Sequence, residues 1–196
     1  MTRIKLHPLP SILFAMTAAF QPLALNAAGN SGDPQPATRI TVVQSDAFGL
    51  EMDVELIQLD IQPAPEGAGY DISLSGESRE ARAERPDLPH ISRLVAVPPD
   101  AAIALEWDGG ESRMVANRPP VMVVDDAGAP SAVSMNSWQQ TWSSFAVSHG
   151  GAAAVADGFW PPKVVTMDDP IIMRGNRMVR VTVYPVQVNA AGDLKV

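Results

Sequence analysis

Along residues 50–56, apolar and acidic side chains take turns: Leu50, Met52, Val54 and Leu56 against Glu51, Asp53 and Glu55. A period of two sorts these sets onto opposite faces of a strand, which a helix of 3.6 residues per turn does not do. The alternation returns in residues 177–188, where Val179, Val181 and Val183 share a face until Pro185 interrupts the ladder, as expected at an edge or a bend. Further β-rich runs lie at 39–44, 70–74, 91–97, 102–107, 112–116, 164–167 and 194–196. Turn chemistry separates them, including Pro98-Pro99-Asp100, Asp108-Gly109-Gly110, Pro119-Pro120 and Ala190-Ala191-Gly192-Asp193. With 18 prolines and 14 glycines breaking up the chain, the pattern predicts an all-β fold, an antiparallel β-sandwich with at most one short helix, in 138–157.

Finer expectations follow from the same reading. After Leu56 the apolar parity slips to Ile57, Leu59 and Ile61, which predicts a bulge near Leu56–Ile57. Residues 75–87, with Arg79, Arg82 and Arg85, read as a solvated loop, and Asp108-Gly109-Gly110 as a hairpin turn into 112–116. The expected core is Met52, Val54, Leu56, Leu94, Val95, Ile103, Leu105, Trp107, Val165, Val179, Val181 and Val183. Trp138 and Trp142 stand four residues apart, on one face of a helix, and are expected to pack inward rather than form an exposed aromatic patch.

The N-terminal stretch obeys a different logic. Arg3 and Lys5 precede an apolar run over 12–25, and small residues follow at Ala27 and Ala28. This is the order of an export signal, and the run is too interrupted for a membrane span, which needs about 20 apolar residues. The chain therefore divides into a signal peptide at 1–27, a flexible lead-in at 28–37 and one domain at 38–196, and the protein is expected to be secreted or held in the periplasm or cell envelope. Losing Arg3 and Lys5 leaves 12 basic residues against 22 acidic ones. Such a surface repels phosphate backbones, so nucleic acid is not an expected partner.

There is no cysteine, which removes disulfides, thiolate metal sites and a Cys nucleophile. His7, His90 and His149 are isolated, whereas a catalytic zinc site needs three ligands brought together. No Gly-x-Ser-x-Gly elbow supports a serine triad. Asp125-Asp126 and Asp168-Asp169 are adjacent acids whose side chains diverge on extended backbone, and neither has EF-hand spacing. No catalytic residue, metal or cofactor is expected, and the chain is not expected to be an enzyme.

Two longer stretches carry more than composition. One is Glu84-Arg85-Pro86-Asp87-Leu88-Pro89-His90, running into a strand and Val97-Pro98. The other begins Trp160-Pro161, continues through Asp169-Pro170, Arg174 and Arg177, and closes on Tyr184-Pro185-Val186-Gln187-Val188-Asn189. In order and spacing they resemble the N-terminal propeptide of the gingipain-type cysteine peptidases, over roughly residues 38–196. The motif residues are Pro86, Leu88, Pro89, Trp160, Pro161, Pro170, Arg174, Arg177, Pro185 and Asn189. The resemblance implies a β-sandwich pro-domain that assists folding of the peptidase and covers its cleft until it is removed. It implies as partner a cognate cysteine peptidase catalytic domain, in cis or in trans, so that a full-length precursor would be a cysteine endopeptidase.

Three departures qualify the likeness. Glu84 stands where the family has glycine, Val188 where it has tyrosine, and the proline after Asn189 is missing. Aligning the flanking strands puts the family's blocking loop at 123–133, with Asp125, Asp126, Ala127, Gly128, Ala129 and Pro130 at its tip. That segment has no Arg or Lys, so latency through a substrate-like basic side chain is not expected. The family continues past this point through another strand into the catalytic domain, so the chain is expected to be either part of a longer precursor or a stand-alone domain. The competing expectation is a free-standing binding or structural β-sandwich module of the cell envelope.

Overall fold

The structure, a computed structural model, describes residues 2–8, 36–46, 49–64, 69–80, 85–100, 102–122, 138, 142–143 and 158–196. Among them run the strands β1 (Thr2–Pro8), β2 (Thr38–Asp46), β3 (Gly49–Leu56), β4 (Asp60–Pro63) and β5 (Tyr70–Ser73). Next come β6 (Ser78–Arg79), β7 (Pro89–Ala96), β8 (Ile103–Asp108), β9 (Met114–Val115) and β10 (Phe159–Trp160). The last are β11 (Val165–Met167), β12 (Ile171–Met173), β13 (Asn176–Val183), β14 (Gln187–Asn189) and β15 (Leu194–Lys195). The fold is the all-β sandwich class that the alternation predicts. Trp138, Trp142 and Ser143 have helical backbone. No helix among the described residues is long and apolar enough to cross a membrane.

The sheets follow the orders β2-β3-β1-β8, β10-β14-β15-β9 and β11-β13-β7-β6, the last with β12 on β13, while β4 and β5 form a hairpin. Two compact units result. One takes Met1–Gln58, Leu94–Glu111 and Met167–Arg180, the other Leu59–Arg93, Ser112–Thr166 and Val181–Val196.

The first unit is built on β2-β3-β1-β8. Residues 2–8, read from the sequence as the start of an export signal, form its inner strand β1, antiparallel to both neighbours. Ile4 and Leu6 are buried beside Met52 and Leu50 of β3 and Trp107 and Leu105 of β8. On the opposite face, Arg3 bonds Asp53 at 2.8 Å and Glu51 at 3.2 Å, and Arg39 of β2 bonds Glu55 at 2.9 Å. The expected wet acidic face of β3 is thus a row of cross-strand ion pairs. The Arg3 guanidinium is raised above its usual value, first by its hydrogen bond with Asp53 and then by that carboxylate's charge. In the same unit Arg174 (φ 51°) and Gly175 (φ 81°) turn β12 into β13 on left-handed backbone, the two-residue hairpin geometry.

Several expectations are corrected. The register shift lies in β2, between Val42 and Gln44, and not at Leu56–Ile57. There β3 simply ends, and the Ile57 and Gln58 amides both donate to the Ala37 carbonyl. The parity slip marks a change of strand, from β3 to β4. Asp108-Gly109-Gly110 is not a hairpin turn, since β8 pairs with β1 and β9 with β15. Residues 75–87 include β6 on β7, and Arg79 and Arg85 are ion-paired, while Arg82 lies outside the described residues. Met52, Val54, Val165, Val179, Val181 and Val183 are buried as expected. Leu94 is 41% exposed because it has the opposite parity to Ile91, which is 1% exposed. Trp107 is 44% exposed at the end strand of its sheet, with its ring lying over Gly109. Leu56, Val95, Ile103 and Leu105 are half-buried.

Candidate partner-facing site

The second unit gathers an apolar platform: Ile72, Leu88, Met122, Trp138, Trp142, Val186, Val188 and Leu194. Sequence patterning explains how it is assembled. Pro185 ends the β13 ladder, and the chain re-enters as β14, bringing Val186 and Val188 inward at 0% exposure. The 190–193 turn is fixed by Asn189. Its side-chain oxygen accepts from the Ala191 and Asp193 amides, both at 2.9 Å, and so returns Leu194 to the same core. Gln187, buried, donates to the Pro161 carbonyl at 2.6 Å beyond the cis Trp160–Pro161 peptide.

This platform brackets residues 123–137. On the N-terminal side, Met122 is 6% exposed and bridges to Pro86. Val121, 3% exposed, donates to the Tyr70 carbonyl at 3.1 Å and accepts from the Asp87 amide at 2.7 Å. Tyr70 in turn donates to the Pro119 carbonyl at 2.8 Å. Gly69 (φ 108°) is required beside it, because a Cβ there would meet the Pro119 oxygen at 2.7 Å. On the C-terminal side stands Trp138, 1% exposed, with its ring 5.6 Å from that of Trp142. Residues four apart on helical backbone thus do meet, and inward packing is correct for both tryptophans. Met122 and Trp138 thus stand in one core, one on each flank of the 15 residues 123–137, and fix the chain on both sides of them.

Charge lines the base of the same unit. Arg79 bonds Asp87 through two nitrogens at 3.0 and 2.8 Å and reaches Asp71 at 2.6 Å. Burial pushes the Asp87 carboxyl up, and the Arg79 guanidinium only partly offsets it. Burial pulls Arg79 down, and Asp87 and Asp71 more than restore it, leaving it above its usual value. Arg85 pairs with Glu80 and lies 5.5 Å over the Trp160 ring, and Arg118 lies 4.5 Å over the Tyr70 ring. Because the Asp87 value is higher folded than unfolded, its contribution to stability is full below its unfolded value, about 3.9. That contribution is lost as pH rises through the folded value. Asp87→Asn is therefore expected to gain on the native protein as pH rises through the carboxylate range, read as the difference in urea midpoints at acidic and neutral pH. A difference independent of pH would contradict the assignment.

The structure divides the motif residues between the units. Pro86, Leu88, Pro89, Trp160, Pro161, Pro185 and Asn189 build the platform unit, with Pro86, Leu88, Pro89 and Pro161 buried. Pro170, Arg174 and Arg177 lie in the first unit, where Arg177 donates to the Pro98 carbonyl at 2.8 Å. Glu84 and the loop residues Asp125, Asp126, Ala127, Gly128, Ala129 and Pro130 lie outside the described residues, as does His149. His90 packs its ring 5.9 Å from that of Tyr184. Among the described residues no three His, Asp or Glu side chains converge as a metal site would require. Sequence reasoning missed Met122 and the Tyr70–Arg118 stack, which no local pattern signals.

No family model and no curated protein matches the chain. Solved structures do, among them two from Porphyromonas gingivalis. One concerns the zymogenic latency of gingipain K, with a TM-score of 0.52 and 20% identity over 82% of this chain and 88% of that one. The other is the complex of the RgpB pro- and mature domains, with a TM-score of 0.51 and 19% identity over 71% of this chain and 68% of that one. The fold is thus gingipain-propeptide-like, as the two motif stretches implied.

Proposed function

We propose that this chain is an exported pro-domain that assists the folding of a gingipain-type cysteine peptidase and holds it latent, presenting residues 123–133 to the catalytic cleft. The observation that carries this reading is the double anchoring of that segment, by Met122 and Trp138, in a core to which motif residue Leu88 also belongs. A segment tied at both ends loses less freedom on docking, which is how a folded inhibitor makes one loop effective. The fold likeness to structures concerned with gingipain latency and with a pro–mature complex supports the same partner class.

The tip 125–130 offers two carboxylates and small residues and no cation. A peptidase restrained through this loop does not select basic side chains. By binding only the native catalytic domain, the pro-domain also draws its folding equilibrium toward the native state. Neither role requires a catalytic group on this chain.

Replacing residues 125–130 by Gly-Ser repeats separates loop from scaffold. The expected variant unfolds at the native urea midpoint and inhibits the cognate peptidase at least about tenfold less well, the loss of roughly one hot-spot contact. Unchanged inhibition would remove the loop from the mechanism.

A further inference from the structure

Residues 2–8 carry two instructions that one mature chain cannot both obey. In sequence they open the segment that reads as an export signal ending at 27. In the fold they are β1, bonded along both edges, to β3 and to β8. Taking them away leaves the edges of β3 and β8 facing across a gap one strand wide, about 9–10 Å between the flanking strands. Two open edges around an apolar floor form a template that pairs with any suitable extended chain.

We propose that the β3–β8 slot is a strand-receptor site. Once 1–27 has been removed, it takes up an extended segment of a partner polypeptide in which basic and apolar residues alternate. The inference rests on the export reading of 1–27 and not on the peptidase role. The character of the occupant is read from what β1 does there. Ile4 and Leu6, 0% and 4% exposed, fill one face between Met52 and Leu50 on one side and Trp107 and Leu105 on the other. Arg3, Lys5 and His7 occupy the other face. Arg3 meets Asp53 at 2.8 Å, Lys5 meets Glu51 at 3.6 Å and His7 meets Glu106 at 3.2 Å. Removal of β1 strips Asp53 and Glu51 of those cations, and Glu106 of its imidazole partner, in a chain that already carries 22 acidic residues. Backbone pairing on two edges supplies affinity, and the acidic row selects a basic strand and sets its register.

The test begins with the exported protein purified from the producing cell and weighed intact. A mass lacking 1–27 is expected. A mass that retains residues 2–8 would overturn the proposal together with the export reading, and would leave the inhibition assay to judge the pro-domain role. The processed protein is then titrated with a fluorescein-labelled peptide of residues 2–8 and followed by anisotropy. Saturable binding at about micromolar concentration is expected. Charge reversal of the peptide, Arg3→Glu with Lys5→Glu, is expected to weaken it about tenfold or more. Asp53→Asn in the protein is expected to weaken the native peptide in the same direction. No saturable binding, or binding indifferent to the reversal, would overturn the proposal.

Discussion

Val181→Asp yields a chain that does not reach the folded state. Val181 is 2% exposed in β13, between Val179 at 0% and Val183 at 5%, and Thr182 on the other face is also buried. An aspartate there must either ionise without a partner or stay protonated far above its usual range, and either course costs several kcal/mol. A domain of this size has only about 5–15 kcal/mol of stability to lose. Leu94→Asp supplies the contrast. Leu94 is 41% exposed on β7, so the same charge there is expected to shift stability by no more than about 0.5 kcal/mol. Urea unfolding followed by circular dichroism reads both variants. A native midpoint for Val181→Asp would show that β13 is not packed as described.

Trp138→Ala is expected to cost about 3–5 kcal/mol, the range for deleting a large aromatic from a packed core. The ring is 1% exposed and touches Trp142, so the loss includes that aromatic contact. A second consequence distinguishes anchor from filler. Trp138 closes the bracket on 123–137, so a partly destabilised Trp138→Ala domain is expected to be cut by a protease within that segment before elsewhere. Trp138→Phe keeps a six-membered ring in the core and gives up the smaller ring of the indole, including an N–H that finds no acceptor among the described residues, so it is expected to cost less than the alanine variant. Equal losses for Phe and Ala would mean that the ring's packing is not what holds this position.

Period-two patterning made much of the scaffold legible. Residues 50–56 and 177–183 declared strand and buried parity together, because each side chain's face is fixed by its place in the pleat. Leu94 shows the limit of that inference. Its run is apolar on both parities, and composition alone did not say which parity points inward. Strand partners were less legible still. Asp108-Gly109-Gly110 has hairpin chemistry, yet β8 and β9 pair with β1 and β15, choices made by contacts distant in sequence. The motif stretches located Pro86, Leu88 and Asn189, which supply a bridge to Met122, a core side chain and a turn. Met122 was silent, because it joins Trp138 only through the fold. Residues 2–8 were read for their charge and hydropathy, which suit an export signal. Their alternation of Arg3, Lys5 and His7 with Ile4 and Leu6 was the strand signal in the same letters.

The most direct test of the pro-domain reading is steady-state inhibition, by this purified domain, of the gingipain-type cysteine peptidase encoded in the same genome, whether in the same reading frame or apart. The expected result is loss of peptidase activity at or below about 1 µM domain, the affinity of a protein–protein contact of ordinary size. Full activity at about ten times that concentration, or a genome that encodes no such peptidase, would contradict it.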